Sequence, residues 1–237
     1  MSWLSDPQSW IALLTLTVLE IVLGVDNIVF ISILAAKLPD EQRVKARTVG
    51  LALALFGRVG LLLGLSWVIG LTRPLLTIPW VELSGRDIIL IAGGLFLLAK
   101  ATHEIHASME GDGHERTAKS ASFGAVIAQI LVLDLVFSLD SVITAVGMVS
   151  EIGVMITAVV LAILFMLVSA GAVSAFIHRH PTVKMLALSF LLLVGVALIA
   201  DGFDVHMPRG YVYFAMAFSV FVEVLNLRSS RRKRAAG

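Results

Sequence analysis

Two stretches of the chain decide its fold: VLEIVLGVDNIV at residues 18–29 and VLDLVFSLDSVI at residues 132–143. They align at a spacing of 114 residues, which pairs Glu20 with Asp134, Asp26 with Asp140, and Asn27 with Ser141. Each acid lies in an apolar run of helix length, and each costs about 2.5 to 3.5 kcal/mol near the centre of a bilayer. Because so costly a pattern occurs twice at one spacing, it indicates function rather than accident.

The composition points to a membrane protein. Of the 237 residues, 58% are hydrophobic and 15% charged, and mean hydropathy is +0.96. A soluble chain would carry roughly 25% charged residues, so a soluble globular enzyme is excluded. The net charge of +1 argues against a partner nucleic acid. The chain has no cysteine, which excludes disulfides, thiolate metal sites and cysteine nucleophiles.

Seven stretches are long and apolar enough to cross a bilayer, which takes about 20 residues. They are residues 10–36, 48–71, 86–103, 122–149, 152–177, 183–201 and 211–227. Polar or proline-containing segments, such as TRPLLTIPW at 72–80, are predicted as the breaks between them. We therefore expect an all-α membrane protein with seven transmembrane helices in a bilayer.

Basic residues predict the orientation of these spans. Fourteen lysines and arginines fall on one side and three on the other, while Arg58 lies inside a span. The excess marks the cytoplasmic side, so we expect the N-terminus outside and the basic C-terminal tail in the cytoplasm. We expect the chain to cross its membrane several times.

The repeat predicts the topology as well. Three spans separate equivalent positions, and an odd number reverses direction, so the two acidic helices cross the membrane antiparallel. Inverted repeats of this kind are typical of secondary transporters that bind substrate near the midplane. A weaker similarity joins the ends of the third and sixth spans, KATHEIH (100–106) and ADGFDVH (200–206). The predicted units are a first three-helix repeat at 1–106, a cytoplasmic linker at 107–121, a second, inverted three-helix repeat at 122–206, and a seventh helix with its tail at 207–237.

Helix geometry places only some of the acids on one face. Positions seven apart nearly coincide, so Glu20 aligns with Asn27 and, in the second stretch, Asp134 with Ser141. Asp26 and Asp140 lie six residues from the first acid of their stretch and therefore point roughly 120° away on an unbroken helix. We expect local unwinding, at Gly24 in the first stretch and Ser138 in the second, to bring them round and free carbonyl oxygens.

The donor set of such a site consists of carboxylate, amide and hydroxyl oxygens. Oxygen sites suit hard divalent cations such as Mn²⁺, Mg²⁺ and Ca²⁺. Four ionised carboxylates around one divalent ion are unsustainable at low dielectric, so protons and metal would compete for the same oxygens. This competition is the basis of cation/proton antiport. Gln129 can complete a polar path, although packing explains it equally well.

At these residues the chain resembles the TerC family of integral membrane proteins. The resemblance rests on E-x-x-x-G-x-D-N from Glu20 to Asn27, on D-x-x-x-S-x-D-S from Asp134 to Ser141, and on the end of the third span. It implies a seven-span protein of the bacterial inner (plasma) membrane, in the lysine-exporter superfamily, that exports Mn²⁺ in preference to Mg²⁺ or Ca²⁺. The implied metal site consists of Glu20, Asp26, Asn27, Asp134, Asp140 and Ser141.

Three further features have two interpretations each. Arg58 is either a counter-ion that holds the acids together until metal displaces it or a structural arginine. Gly60-x-x-x-Gly64 is interpreted as a face for close helix packing, or else as a moving interface. Asp201, Asp204 and His206 form either an exit vestibule or a solvated loop.

Two alternatives to a transporter remain open on sequence grounds. One is a membrane assembly or stress-resistance (tellurium-type) factor that acts through protein partners, and the other is a passive channel. No nucleophile–base pair, phosphate-binding loop or cofactor motif is present, so we expect no enzyme activity and no organic cofactor. A homo-oligomer is compatible with the sequence.

Overall fold

The structure is a computed structural model that describes residues 6–78, 81–109, 122–149, 151–205 and 207–235. These residues form eight helices and two short strands. The helices are α1 Pro7–Ala35, α2 Asp40–Leu63, α3 Leu65–Gly70, α4 Gly85–Met109, α5 Phe123–Met148, α6 Ile152–Arg179, α7 Pro181–Gly202 and α8 Arg209–Ala235, and the strands are β1 Pro74–Ile78 and β2 Val81–Ser84.

The predicted fold class is confirmed. Six helices are long and apolar enough to cross a membrane, namely α1, α2, α4, α5, α6 and α7, and α8 contains a shorter apolar stretch, Gly210–Asn226. Large apolar side chains such as Phe56, Val168 and Phe214 lie on the outside. An apolar exterior suits lipid rather than water, so the chain is an all-α membrane protein of about seven spans.

Several helices begin at signals present in the sequence. Asp6 caps α1 by accepting hydrogen bonds from the backbone N–H groups of Gln8 and Ser9, and Pro7 occupies the first turn. The hydrogen bond from the Ser9 side chain lowers the pKa of Asp6 below its ordinary value. Ser122 caps α5 through the Ala125 N–H at 3.2 Å. These caps fix where the two acidic helices start.

The second predicted span and the segment after it differ from expectation. The helix is interrupted at Gly64, which ends α2 and precedes the short α3. The stretch TRPLLTIPW, predicted only as a break, contributes β1 to an antiparallel hairpin with β2, paired from Pro74 with Ser84 to Ile78 with Val81. Ser84 then anchors the start of α4, because its N–H and Oγ donate to Asp87 Oδ2 at 2.9 and 2.6 Å.

The predicted repeats make three pairs of helices equivalent: α1 and α5, α2 and α6, and α4 and α7. If each helix is exchanged for its equivalent, the contact of α1 with α6 becomes that of α5 with α2, and both contacts are observed. The exchange leaves three further observed contacts unchanged, because each joins two equivalent helices: α4 with α7, α2 with α6, and α1 with α5. α8 packs on α7. The boundaries of the two predicted repeats stay a prediction, and most of the linker, residues 110–121, lies outside the described residues.

Close helix approach occurs at glycines other than those predicted. A Cβ atom on Gly94 of α4 would lie 2.6 Å from the Gly195 carbonyl oxygen of α7, and one on Gly195 would lie 3.0 Å from the Gly94 carbonyl oxygen. By contrast, a Cβ atom on Gly60 would meet nothing within 4 Å, and one on Gly64 would meet only its own segment, at Gly60 and Leu61. Within the described part of the chain no other helix packs closely on Gly60 or Gly64, whereas α4 and α7 form a tight interface at Gly94 and Gly195.

Candidate functional site: a buried ionic bridge

Glu20 of α1 and Asp134 of α5 meet at Arg58 of α2. Arg58 Nη1 donates to Glu20 Oε2. Its Nη2 and Nε donate to Asp134 Oδ1 at 2.9 and 3.2 Å. The three residues are 6%, 7% and 3% exposed in the order Glu20, Asp134, Arg58. We call this group the ionic bridge, and it joins the equivalent acids of the two predicted repeats inside the protein.

Asp134 is the more heavily bonded of the two acids. Besides Arg58, its Oδ1 accepts from Asn27 Nδ2 at 3.3 Å, and its Oδ2 accepts from Ser138 Oγ at 3.2 Å. Asn27 and Ser138 are buried. Asn27 therefore links the first acidic stretch to Asp134, the first acid of the second stretch. This agrees with the prediction that Asn27 and Glu20 lie on the same face of their helix.

The other predicted site residues lie in different positions. Ser141 is buried, but its Oγ donates to the Ser138 carbonyl oxygen at 3.2 Å rather than to an acid. Gln129 Oε1 is buried and has no hydrogen-bond partner among the described residues. The side chains of Asp26 and Asp140 lie outside what the structure describes, although their backbones belong to α1 and α5.

The expected unwinding of the acidic helices is wrong. α1 is helical through Gly24, and α5 is helical through Ser138. A Cβ atom on Gly24 would lie 2.6 Å from Met166 Sδ of α6, so this glycine allows close packing of α1 on α6. Ser138 supports Asp134 through its hydroxyl. Glu20 and Asp134 meet at Arg58 on unbroken helices, so the contact between the two acidic helices requires no unwinding.

The charges of the ionic bridge do not cancel when both acids are ionised, because one guanidinium faces two carboxylates. Such a group is stable only while buried charges stay paired, and loss of any partner leaves an uncompensated charge. Across the described part of the chain, no three acidic or histidine side chains are grouped to hold a metal ion. A cation bound by Glu20 and Asp134 together would take the place that Arg58 occupies between them.

A cavity of about 80 Å³ adjoins the ionic bridge. Arg58 and Ser141 line it on one side, and Asp201, Met207 and Tyr213 line it where α7 ends and α8 begins. A much smaller cavity, about 10 Å³, lies beside Glu20 among apolar side chains. The ionic bridge is therefore buried between helices and has open space on the side of α7 and α8.

The structure also pairs Lys37, just after α1, with Glu104 near the end of α4. Glu104 is 7% exposed. This pair was not predicted, although the sequence contains a signal for it: α1 and α4 both end on the predicted cytoplasmic side, so opposite charges at those ends can meet.

Fold and site together define the class, an α-helical protein that crosses the membrane several times and holds a buried ionic bridge between its helices. The chain belongs to the integral membrane protein TerC family, whose sequence profile matches residues 5–236.

Relatives of known sequence support the same assignment. The chain is 53% identical over 231 residues to the UPF0053 inner membrane protein YgdQ of Escherichia coli strain K12, covering 98% of both chains. It is 52% identical to a UPF0053 protein of Haemophilus influenzae, covering 97% of this chain and 98% of that one. It is also 53% identical to the UPF0053 inner membrane protein YoaE of E. coli, covering 95% of this chain and 44% of that one. No solved structure matches. The protein is a multi-pass inner-membrane protein.

Proposed function

We propose that this protein is a secondary transporter that exports a divalent cation, Mn²⁺, in exchange for protons, rather than an enzyme. One observation carries the proposal: the ionic bridge brings together Glu20 and Asp134, the acids that the predicted inverted repeat makes equivalent, in the buried interior of the protein. Buried ionisable residues in transmembrane helices mark ion pathways by default, because their insertion is costly.

The ionic bridge supports an exchange cycle through its charges. With Arg58 between them, Glu20 and Asp134 hold one positive charge against two negative ones. A divalent cation that displaces the guanidinium would neutralise both acids. Protons that bind the acids would also displace the guanidinium. Cation, protons and Arg58 thus compete for the same oxygens, so binding of one drives release of another.

The choice of ion rests on donor chemistry and on the family resemblance. Carboxylate, amide and hydroxyl oxygens from Asp134, Asn27 and Ser138 suit hard divalent ions, including Mn²⁺, Mg²⁺ and Ca²⁺. Mn²⁺ is preferred among these on the family resemblance alone. The direction of transport, export, is likewise proposed on the family resemblance alone.

The test uses the purified full chain in liposomes with a pH dye inside. We expect Mn²⁺ flux together with opposite proton movement, and weaker or no flux of Mg²⁺ and Ca²⁺. Asp134→Asn should abolish the flux, whereas Asp40→Asn, at an exposed ion pair with Arg43, should not. Absence of flux of all three ions, with stable co-purification of another membrane complex, would instead establish the partner-binding alternative.

A further inference from the structure

A transporter needs a route from its buried site to a face of the membrane, and the cavity beside the ionic bridge lies where part of such a route would run. Its volume of about 80 Å³ is several times the roughly 10–15 Å³ that one water needs. It extends from Arg58 and Ser141 to Asp201 and Met207, near the C-terminal end of α7. Water and a small ion therefore have space between the ionic bridge and that end of the bundle.

Asp201 is the residue of this cavity that attracts cations. It supplies the one carboxylate among the described lining residues, and most of the other walls are apolar, such as Leu23, Phe137 and Val194. Within the described ranges its carboxylate makes no hydrogen bond or ion pair. A negative charge in a cleft with low-dielectric walls concentrates cations there.

We propose that Asp201 is a second cation-binding residue, which holds the divalent ion between the ionic bridge and the membrane face at which α7 ends. This inference rests on the proposed transport function and adds to it a residue that recruits or releases the ion. The proposal does not include Asp204, because this residue is exposed in the turn after α7, at φ 58°, and does not line the cavity.

The opposite end of the bundle has different chemistry. In the alignment of the third and sixth spans, Asp201 corresponds to Ala101, which is 1% exposed. Close to Ala101, Glu104 is paired with Lys37. Among the residues that the structure describes, one end of the bundle therefore has an unpaired carboxylate in a cavity, and the other has an ion pair.

The first test measures how Mn²⁺ flux into liposomes depends on Mn²⁺ concentration for the full chain. Asp201→Asn should raise the concentration for half-maximal flux by about tenfold, because a divalent ion loses one nearby charge. The matched control is Asp204→Asn, which removes the same charge three residues away. Asparagine adopts the positive φ of this position as readily as aspartate does. Equal concentration dependence of wild type and Asp201→Asn would overturn the inference.

The second test does not depend on transport, and it uses the absence of cysteine from the chain. In a Ser141→Cys variant, a positively charged methanethiosulfonate reagent should react at least about tenfold faster than in Ser174→Cys, since Ser174 is 3% exposed and outside the cavity. Mn²⁺ should slow the reaction, and adding Asp201→Asn should weaken that protection. Equal reaction of both variants would overturn the proposed route.

The outcomes separate the two proposals. If wild type transports Mn²⁺ and Asp201→Asn behaves like it, the role of Asp201 is wrong and the transport function stands. If wild type transports no ion and Mn²⁺ does not protect the Ser141→Cys variant, both are overturned.

Discussion

Arg58 donates two hydrogen bonds to one oxygen of Asp134, from Nη2 at 2.9 Å and from Nε at 3.2 Å. Its remaining terminal nitrogen donates to Glu20. One side chain of α2 therefore fixes the distance between the acids of α1 and α5. Stability and ion binding should both depend on this arginine.

Replacement of Arg58 by glutamine should lower the free energy of unfolding by about 3–5 kcal/mol, because it leaves two buried carboxylates without their counter-ion. The measurement is unfolding of the purified protein in detergent, followed by fluorescence. Arg43→Gln breaks an exposed ion pair with Asp40 and should cost at most about 1 kcal/mol. Equal losses for the two variants would show that the ionic bridge does not stabilise the fold.

The two acids should differ in their contribution to stability. Asp134 accepts four hydrogen bonds, from Arg58, Asn27 and Ser138, whereas Glu20 accepts one from Arg58. Asp134→Asn should therefore cost more than Glu20→Gln, by about 1 kcal/mol or more. The same unfolding measurement compares them, and a larger loss for Glu20→Gln would contradict this account of the hydrogen bonds.

Gly94→Ala should destabilise the protein by about 1–3 kcal/mol, because the new methyl group meets the backbone of Gly195 and α4 and α7 must separate. Gly57→Ala is the control, since a Cβ atom there meets nothing within 4 Å. It should be neutral or stabilising by up to about 1 kcal/mol through helix propensity. If Gly94→Ala matches Gly57→Ala in the unfolding measurement, the described contact of α4 with α7 is wrong.

Lys37 and Glu104 should be energetically coupled. A double-mutant cycle of Lys37→Gln and Glu104→Gln should give a coupling of about 1 kcal/mol, because Glu104 is largely buried. The same cycle at the exposed pair Asp40 and Arg43 should give less. Additive effects at Lys37 and Glu104 would remove the argument that this end of the bundle is closed by an ion pair.

Much of the fold could be predicted because membrane spans have a strong sequence signal. Length and hydropathy gave the spans to within a few residues at most ends, since about 20 apolar residues are needed to cross a bilayer. The 3.6-residue period of the helix also placed Glu20 and Asn27 on one face. In the structure Glu20 contacts Arg58 and Asn27 contacts Asp134. Arg58 was recognisable because it is the basic residue inside a span.

The remaining features depend on contacts that no single span reveals. Hydropathy alone did not predict the pairing of β1 with β2 or the break at Gly64. Gly94 and Gly195 form the tight contact of α4 with α7, although neither belongs to a small-residue motif of the kind found at Gly60 and Gly64. The unwinding was predicted in order to bring Asp26 and Asp140 onto the face of the first acids. The contacts of Arg58 with Glu20 and Asp134 could not be predicted, because they join residues 38 and 76 positions apart.

The most direct test of the central claim is a calorimetric titration of the purified chain with Mn²⁺, repeated in buffers of different ionisation enthalpy to count released protons. Wild type should bind Mn²⁺ with release of protons. The double variant Glu20→Gln/Asp134→Asn should bind at least about 100-fold more weakly. Asp40→Asn/Glu41→Gln, at exposed positions of α2, should bind like wild type. Unchanged Mn²⁺ affinity in the Glu20 and Asp134 double variant would contradict the account.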